Sequence, residues 1–191
     1  MLLNNKIYIS KSDLDRCTSF SNKVISTNSY YARRGQQNTE RIRQQIIVGK
    51  LGEIATKIFI EQNGLKCSDV DFGAYDKNKS FSSDLLIYPD IKIHVKSQHV
   101  ASAKMFGLSW TFQYGERLSG SLDKEIFGAY GNKDRIIFCL VDVYKLYVDI
   151  MMSIKVKDAH KNNLFRDPIK TSLIGEKKVI YYEDALSLSN I

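Results

Sequence analysis

Between residues 91 and 98 apolar and polar side chains alternate strictly: Ile91, Ile93 and Val95 against Lys92, His94, Lys96 and Gln98. That two-residue period predicts a half-buried β-strand with one face in a core and the other carrying polar groups. Another short strand is expected over residues 81–88, joined to the first by a turn at Pro89 and Asp90. Upstream, over 46 to about 62, the period becomes helical. Ile47, Leu51, Ile54, Ala55, Ile58 and Phe59 form one stripe, and Asn63 with Gly64 supplies a stop. Glu53 lies off that stripe but one heptad from Ile46 and Ile60, so its face is also expected to be covered. A covered carboxylate is costly unless it meets a cation or a metal.

Elsewhere the pattern is less regular. Residues 65–72 are expected to form a strand, followed by a polar turn at Asp76, Lys77, Asn78 and Lys79. The continuous apolar run Ile136, Ile137, Phe138, Cys139, Leu140, Val141 predicts a strand buried on both faces. Further strands are expected over 147–152, after a tight turn at Tyr144 and Lys145, and over 179–182. Residues 100–135 follow neither period and receive no assignment. Two prolines and eleven dispersed glycines mark no linker or repeat. One domain over 1–191 is therefore expected, with a basic N-terminal segment to residue 45, a core from about 46 to 152 and a C-terminal extension over 153–191.

Charge adds a hint about partners. The chain has 28 Lys and Arg against 21 Asp and Glu, a formal charge of +7, which suits an anionic polymer. Its densest basic and aromatic segment runs from Tyr30 and Tyr31 through Arg33, Arg34, Arg41 and Arg43. Two interpretations stay open for it: a solvated helix or loop, or a nucleic-acid arm with arginines on phosphates and tyrosines against sugars or bases. Three cysteines without CxxC spacing argue against a disulfide framework or a structural zinc site and favour a reducing compartment. With no signal-peptide pattern and no membrane-length apolar stretch, a cytoplasmic protein is expected. The absence of HExxH, P-loop and GxSxG motifs excludes the commoner zinc-protease, NTPase and serine-hydrolase classes. His99 and His160 have no partners at metal-ligand spacing.

Cleaving a phosphodiester requires a nucleophilic water, a stabilised anionic transition state and a neutralised leaving oxygen. Carboxylates holding divalent metal ions, with a lysine near the water, can supply these. Glu53, Asp84 and Lys96 are side chains of those types. Whether Asp84 joins the His94 and Lys96 face depends on register. A two-residue loop at Pro89 and Asp90 would pair Asp84 with Val95, on the wrong face; a three-residue loop or a bulge would pair it with His94 or Lys96.

Over roughly residues 49–143 the chain resembles the restriction-endonuclease-like, or PD-(D/E)XK, nuclease superfamily. Gly49-Lys50-Leu51-Gly52-Glu53 matches its first helix, Ser83-Asp84 its aspartate, and His94-Val95-Lys96 its (D/E)-x-K motif. Ser97-Gln98 and Trp110-Thr111-Phe112-Gln113 are similar to segments of phage and bacterial members. The resemblance implies an α/β fold with an αβββαβ core, a mixed central sheet flanked by helices. It also implies Mg²⁺ or Mn²⁺ as cofactor, held by Glu53, Asp84 and His94, with Lys96 positioning the attacking water and Gln98 bonding water or phosphate. Ser83 replaces the family's proline, and His94 stands where a carboxylate normally binds metal. Neutral imidazole is a poorer Mg²⁺ ligand and a better one for Mn²⁺.

The function so implied is metal-dependent hydrolysis of DNA by an endonuclease. Arg33, Arg34, Arg41, Arg43, Lys50, Trp110, Tyr114 and Arg117 are expected to grip a duplex, and cutting both strands would favour a homodimer. The alternative is a DNA-binding protein on the same fold whose catalytic site has decayed.

Overall fold

A computed structural model of the chain describes residues 5–27, 38–74, 83–115 and 123–188. Among them, the alternating segment is β3 (Ile91–His99), paired on one side with β2 (Leu85–Ile87) and on the other with β5 (Arg135–Asp142). The β2 pairing is antiparallel and the β5 pairing parallel. β6 (Tyr147–Lys155) pairs antiparallel with β5, and β1 (Lys6–Tyr8) antiparallel with β6. The result is a five-stranded mixed sheet in the order β1-β6-β5-β3-β2.

Two helices cover one face. α1 (Lys11–Thr27) packs on α2 (Thr39–Gln62), whose Ile47, Leu51, Ile54 and Ala55 are buried with Ile93, Ile137, Cys139 and Val141 of the sheet. α2 begins seven residues before the expected start at 46 because Asn38 caps it, its Oδ1 accepting from Arg41 N at 2.9 Å. It ends at Asn63, with Gly64 at φ +78°, where the sequence places the stop.

The opposite face is covered by a two-stranded ribbon of β4 (Ser109–Gln113) and β7 (Lys177–Tyr181) with short helices. These are α4 (Lys124–Phe127), α5 (Val156–Lys161) and α6 (Tyr182–Ala185), while α3 (Val100–Phe106) follows β3 and buries no residue. Trp110, Phe112, Ile126, Ile136, Phe138, Met152, Ile154 and Ile180 form this second core. The apolar run of β5 follows directly: Ile137 and Cys139 face the helices, while Ile136 and Phe138 face the ribbon. Residues 153–188 are part of the domain, since β7 pairs along all of β4 and Ile180 is fully buried.

The strand expected over 65–72 does not form. A single bridge, Cys67 to Ile87, survives, beside hydrogen bonds from Ser68 N to Leu86 O (2.8 Å) and from Tyr88 N to Lys66 O (3.1 Å). The apolar positions shift from 65 and 67 to 70 and 72, which breaks the period a half-buried strand needs. The polar turn expected at 76–79 lies outside the described residues. No helix among the described residues is long and apolar enough to cross a membrane.

Candidate active site

The turn between β2 and β3 spans Tyr88, Pro89 and Asp90, and the pairs are Ile87 to Ile91, Leu86 to Lys92 and Leu85 to Ile93. This is the register of a three-residue loop, and its ladder ends at Leu85. Asp84 N donates to Ile93 O at 3.0 Å, and Asp84 Oδ2 accepts from Val95 N at 2.7 Å. Where β2 stops, the Asp84 carboxylate thus takes the place of a backbone acceptor for β3.

Alternation along β3 puts Lys92, His94 and Lys96 on the ribbon side of the sheet, and carboxylates from the segment at α4 meet them there. Lys96 Nζ lies 3.0 Å from Asp123 Oδ2 and 5.0 Å from the centre of the Phe112 ring. Lys92 Nζ lies 2.7 Å from Glu125 Oε1. His94 is 3% exposed, and its Nε2 has no hydrogen-bond partner among the described residues; the same holds for Glu125 Oε2. Burial holds the imidazole below its ordinary pKa, against Asp84, Asp123 and Glu125, which all favour the charged form. Lys92 is held above its usual range by its bond to Glu125.

Glu53 sits elsewhere. It is buried on the helical side of the sheet, its Oε2 accepting from Lys50 Nζ at 2.6 Å, and Lys50 in turn lies over the rings of Phe20 and Phe72. The cation that a covered carboxylate needs is therefore Lys50. Among the described residues no three His, Cys, Asp or Glu side chains are grouped closely enough to hold a metal ion. The set Glu53, Asp84 and His94 accordingly forms no such group, Glu53 being paired with Lys50.

Other expected contacts change with their surroundings. Gln98 has both amide atoms engaged, Nε2 donating to Gly107 O (2.9 Å) and Oε1 accepting from Ser109 N (3.1 Å). It ties the end of β3 to the start of β4. Trp110 is 2% exposed, with Nε1 donating to Cys139 O at 3.0 Å, so it belongs to the second core and cannot grip a duplex. Lys50 is committed to Glu53 and largely covered, which removes it from a phosphate-contact surface. Tyr114 remains partly exposed, its ring against Phe127 and under Lys178 Nζ. Arg41 is exposed, whereas Arg43 is bonded to Asn22 Oδ1 (2.9 Å) and Glu40. Arg33, Arg34 and Arg117 lie outside the described residues.

His99 and His160 are structural, as their spacing suggests. His99 Nδ1 accepts from Ala101 N at the start of α3 (3.1 Å), and His160 bonds Ile126 O (2.7 Å) and stacks on Tyr130. Asp123 and Glu125 carry no motif in the sequence. They stand 27 and 33 residues from the lysines they meet, in a stretch without period. An acidic pair just before an apolar dipeptide is the only local signal. Compared with known family models, curated proteins and solved structures, the chain matches none.

Proposed function

We propose that this chain is a metal-dependent endonuclease that hydrolyses DNA, built on a restriction-endonuclease-like core. The observation that carries the proposal is the place of Asp84 beside β3, its carboxylate accepting from Val95 N, the residue between His94 and Lys96. The element order supports it as well. A helix (α2), the β2–β3 hairpin, a helix (α3) and, after β4 and α4, a strand (β5) parallel to β3 come in the order of an αβββαβ core in which the bridge at Cys67 would stand for the first strand.

The donor types on this face are ones a divalent cation uses, though among the described residues they are not grouped as a ligand set. Lys96 is bonded to Asp123, and the buried His94, its Nε2 without a partner among the described residues, feels the charges of Asp84 and Asp123. Asp84 would hold the ion and His94 would complete its donors. When bound, Mg²⁺ or Mn²⁺ supplies positive charge to the phosphate and acidity to water. Lys96 would orient the attacking water and balance charge on the phosphate. The formal charge of +7 and exposed Arg41 favour a polyanionic, double-stranded substrate. Two copies related by a two-fold would cut both strands.

Lys96→Ala tests the assignment. Cleavage of a linear duplex should fall by about 10²-fold or more, as for loss of a group that acts in proton transfer, while circular dichroism stays native. Turnover within a few-fold of wild type would remove Lys96 from the chemistry. Salt-sensitive DNA binding without cleavage in the wild type would favour a decayed site on the same fold.

A further inference from the structure

We propose that Met105 and Phe106, at the end of α3, form an apolar wedge that enters the base stack of double-stranded DNA, with Lys104 on a neighbouring phosphate. The inference rests on the DNA substrate of the endonuclease reading and adds how the duplex is gripped beside β3.

Met105 is 73% exposed and Phe106 67%. Among the large apolar side chains left exposed in the described residues, they alone are neighbours in sequence. A single exposed apolar residue needs no explanation, but here an adjacent pair ends a helix that buries no residue. The backbone that presents the pair is pinned at both ends. At the start of α3, His99 Nδ1 accepts from Ala101 N at 3.1 Å. Beyond its end, Gln98 Nε2 donates to Gly107 O (2.9 Å), Gln98 Oε1 accepts from Ser109 N (3.1 Å) and Leu108 O accepts from Tyr182 N (3.0 Å). Gly107, at φ +75°, stops the helix directly after Phe106 in a conformation that favours glycine. Met105 and Phe106 are thus held near Gln98, two residues along β3 from Lys96, and belong to neither core. Gln98 is the positioning residue for the wedge.

Charge selects the occupant. From residue 91 to residue 115 the sequence contains Lys92, Lys96 and Lys104 and no Asp or Glu. Lys104 is exposed and makes no ion pair among the described residues. Across the His99 ring stands the β5–β6 turn, where Tyr144 is exposed with its ring edge-on to His99 at 6.2 Å and Lys145 is exposed beside it. The carboxylate of that turn, Asp142, is buried and accepts from Tyr144 N and Lys145 N. Exposed rings, a methionine and lysines suit a polyanion that also offers stacked bases. Large apolar side chains pushed between base steps unstack and kink a duplex, and the added protein contact offsets the cost. A second copy of the chain seated on the same patch would set lysines against lysines.

The experiment titrates the full-length chain, in EDTA and at several salt concentrations, into short DNA duplexes whose adenines are replaced by the fluorescent analogue aminopurine, which brightens on unstacking. Wild type is compared with Met105→Ser/Phe106→Ser and Lys104→Ala, with circular dichroism to confirm folding. Wild type should bind and brighten the duplex. The double variant should bind about tenfold or more weakly, leave the duplex dark and keep the salt dependence of wild type. Lys104→Ala should keep the brightening and lower the salt slope by about 1. Binding by wild type without brightening, or a double variant that binds and brightens like wild type, would overturn the wedge and leave the endonuclease reading standing. So would a double variant with unchanged DNA affinity that has lost binding to anionic phospholipid vesicles, or a dimer in sedimentation; the surface would then belong to lipid or to a second copy. Brightening by a wild type that cuts no plasmid with Mg²⁺ or Mn²⁺ would uphold the wedge and bring down the nuclease. A wild type that binds no DNA would bring down both.

Discussion

At His94 burial and charge pull the proton equilibrium in opposite directions. Three carboxylates favour the imidazolium, loss of water disfavours it, and burial prevails, so the folded pKa lies below the ordinary 6.5. As pH falls from neutrality the unfolded chain then takes up a proton here before the folded chain does. Stability is full above the unfolded value and declines as pH drops toward the folded one. Urea unfolding of wild type should therefore lose more stability between about pH 7.5 and about pH 5.5 than the same measurement on His94→Gln. Equal losses in the two proteins would show that His94 does not titrate as its burial requires. The other residue-scale lesson is that composition names the chemistry a side chain can do, while its neighbours decide whether it is available. Gln98 and Trp110 both sit in motif-like positions, yet one is consumed by two backbone groups and the other by a carbonyl and a core. Nothing local in the sequence announces those partners, which lie on other strands or beyond a helix.

Among the elements, those legible in the sequence are the ones whose period is unbroken. β3, β5, β6 and the central turns of α2 fall where alternation, a continuous apolar run and a helical stripe put them. α3, β4 and α4 are short, and their register comes from β7 and from the Gln98 clamp, so no local period betrays them. The contact of α2 with β3 turns on one of two glycines that look alike in sequence. A Cβ at Gly52 would lie 1.9 Å from Ser97 Oγ and 3.1 Å from Ser97 Cβ, whereas one at Gly49 meets nothing within 4 Å. In a helix, alanine is favoured over glycine by about 1 kcal/mol, but overpacking costs about 1–3 kcal/mol. Gly49→Ala should thus stabilise the chain by up to about 1 kcal/mol, and Gly52→Ala should destabilise it by about 1–2 kcal/mol. Chemical denaturation of the two variants checks both signs, and a stabilised Gly52→Ala would mean that helix and strand do not approach this closely.

Across the whole molecule the sheet is a partition. One side holds the α1 and α2 core with the Lys50 and Glu53 pair, and the other holds the ribbon core with Lys92, His94, Lys96, Asp123 and Glu125. Sequence spacing placed Glu53 near Asp84 along the chain but carries no information about which side of a sheet a helical residue will occupy. The ring of opposite charge around β3 was invisible for the same reason, since its acidic half arrives from a segment after β4. The claim that unites these features is that the β3 face hydrolyses DNA with a divalent cation. Cleavage of supercoiled plasmid by wild type and by Asp84→Ala, each with Mg²⁺, Mn²⁺ or EDTA, tests it most directly. The account predicts nicked or linear product from wild type with metal, none with EDTA and none from Asp84→Ala. Equal cleavage by both proteins, or an uncut plasmid under every condition, would contradict it.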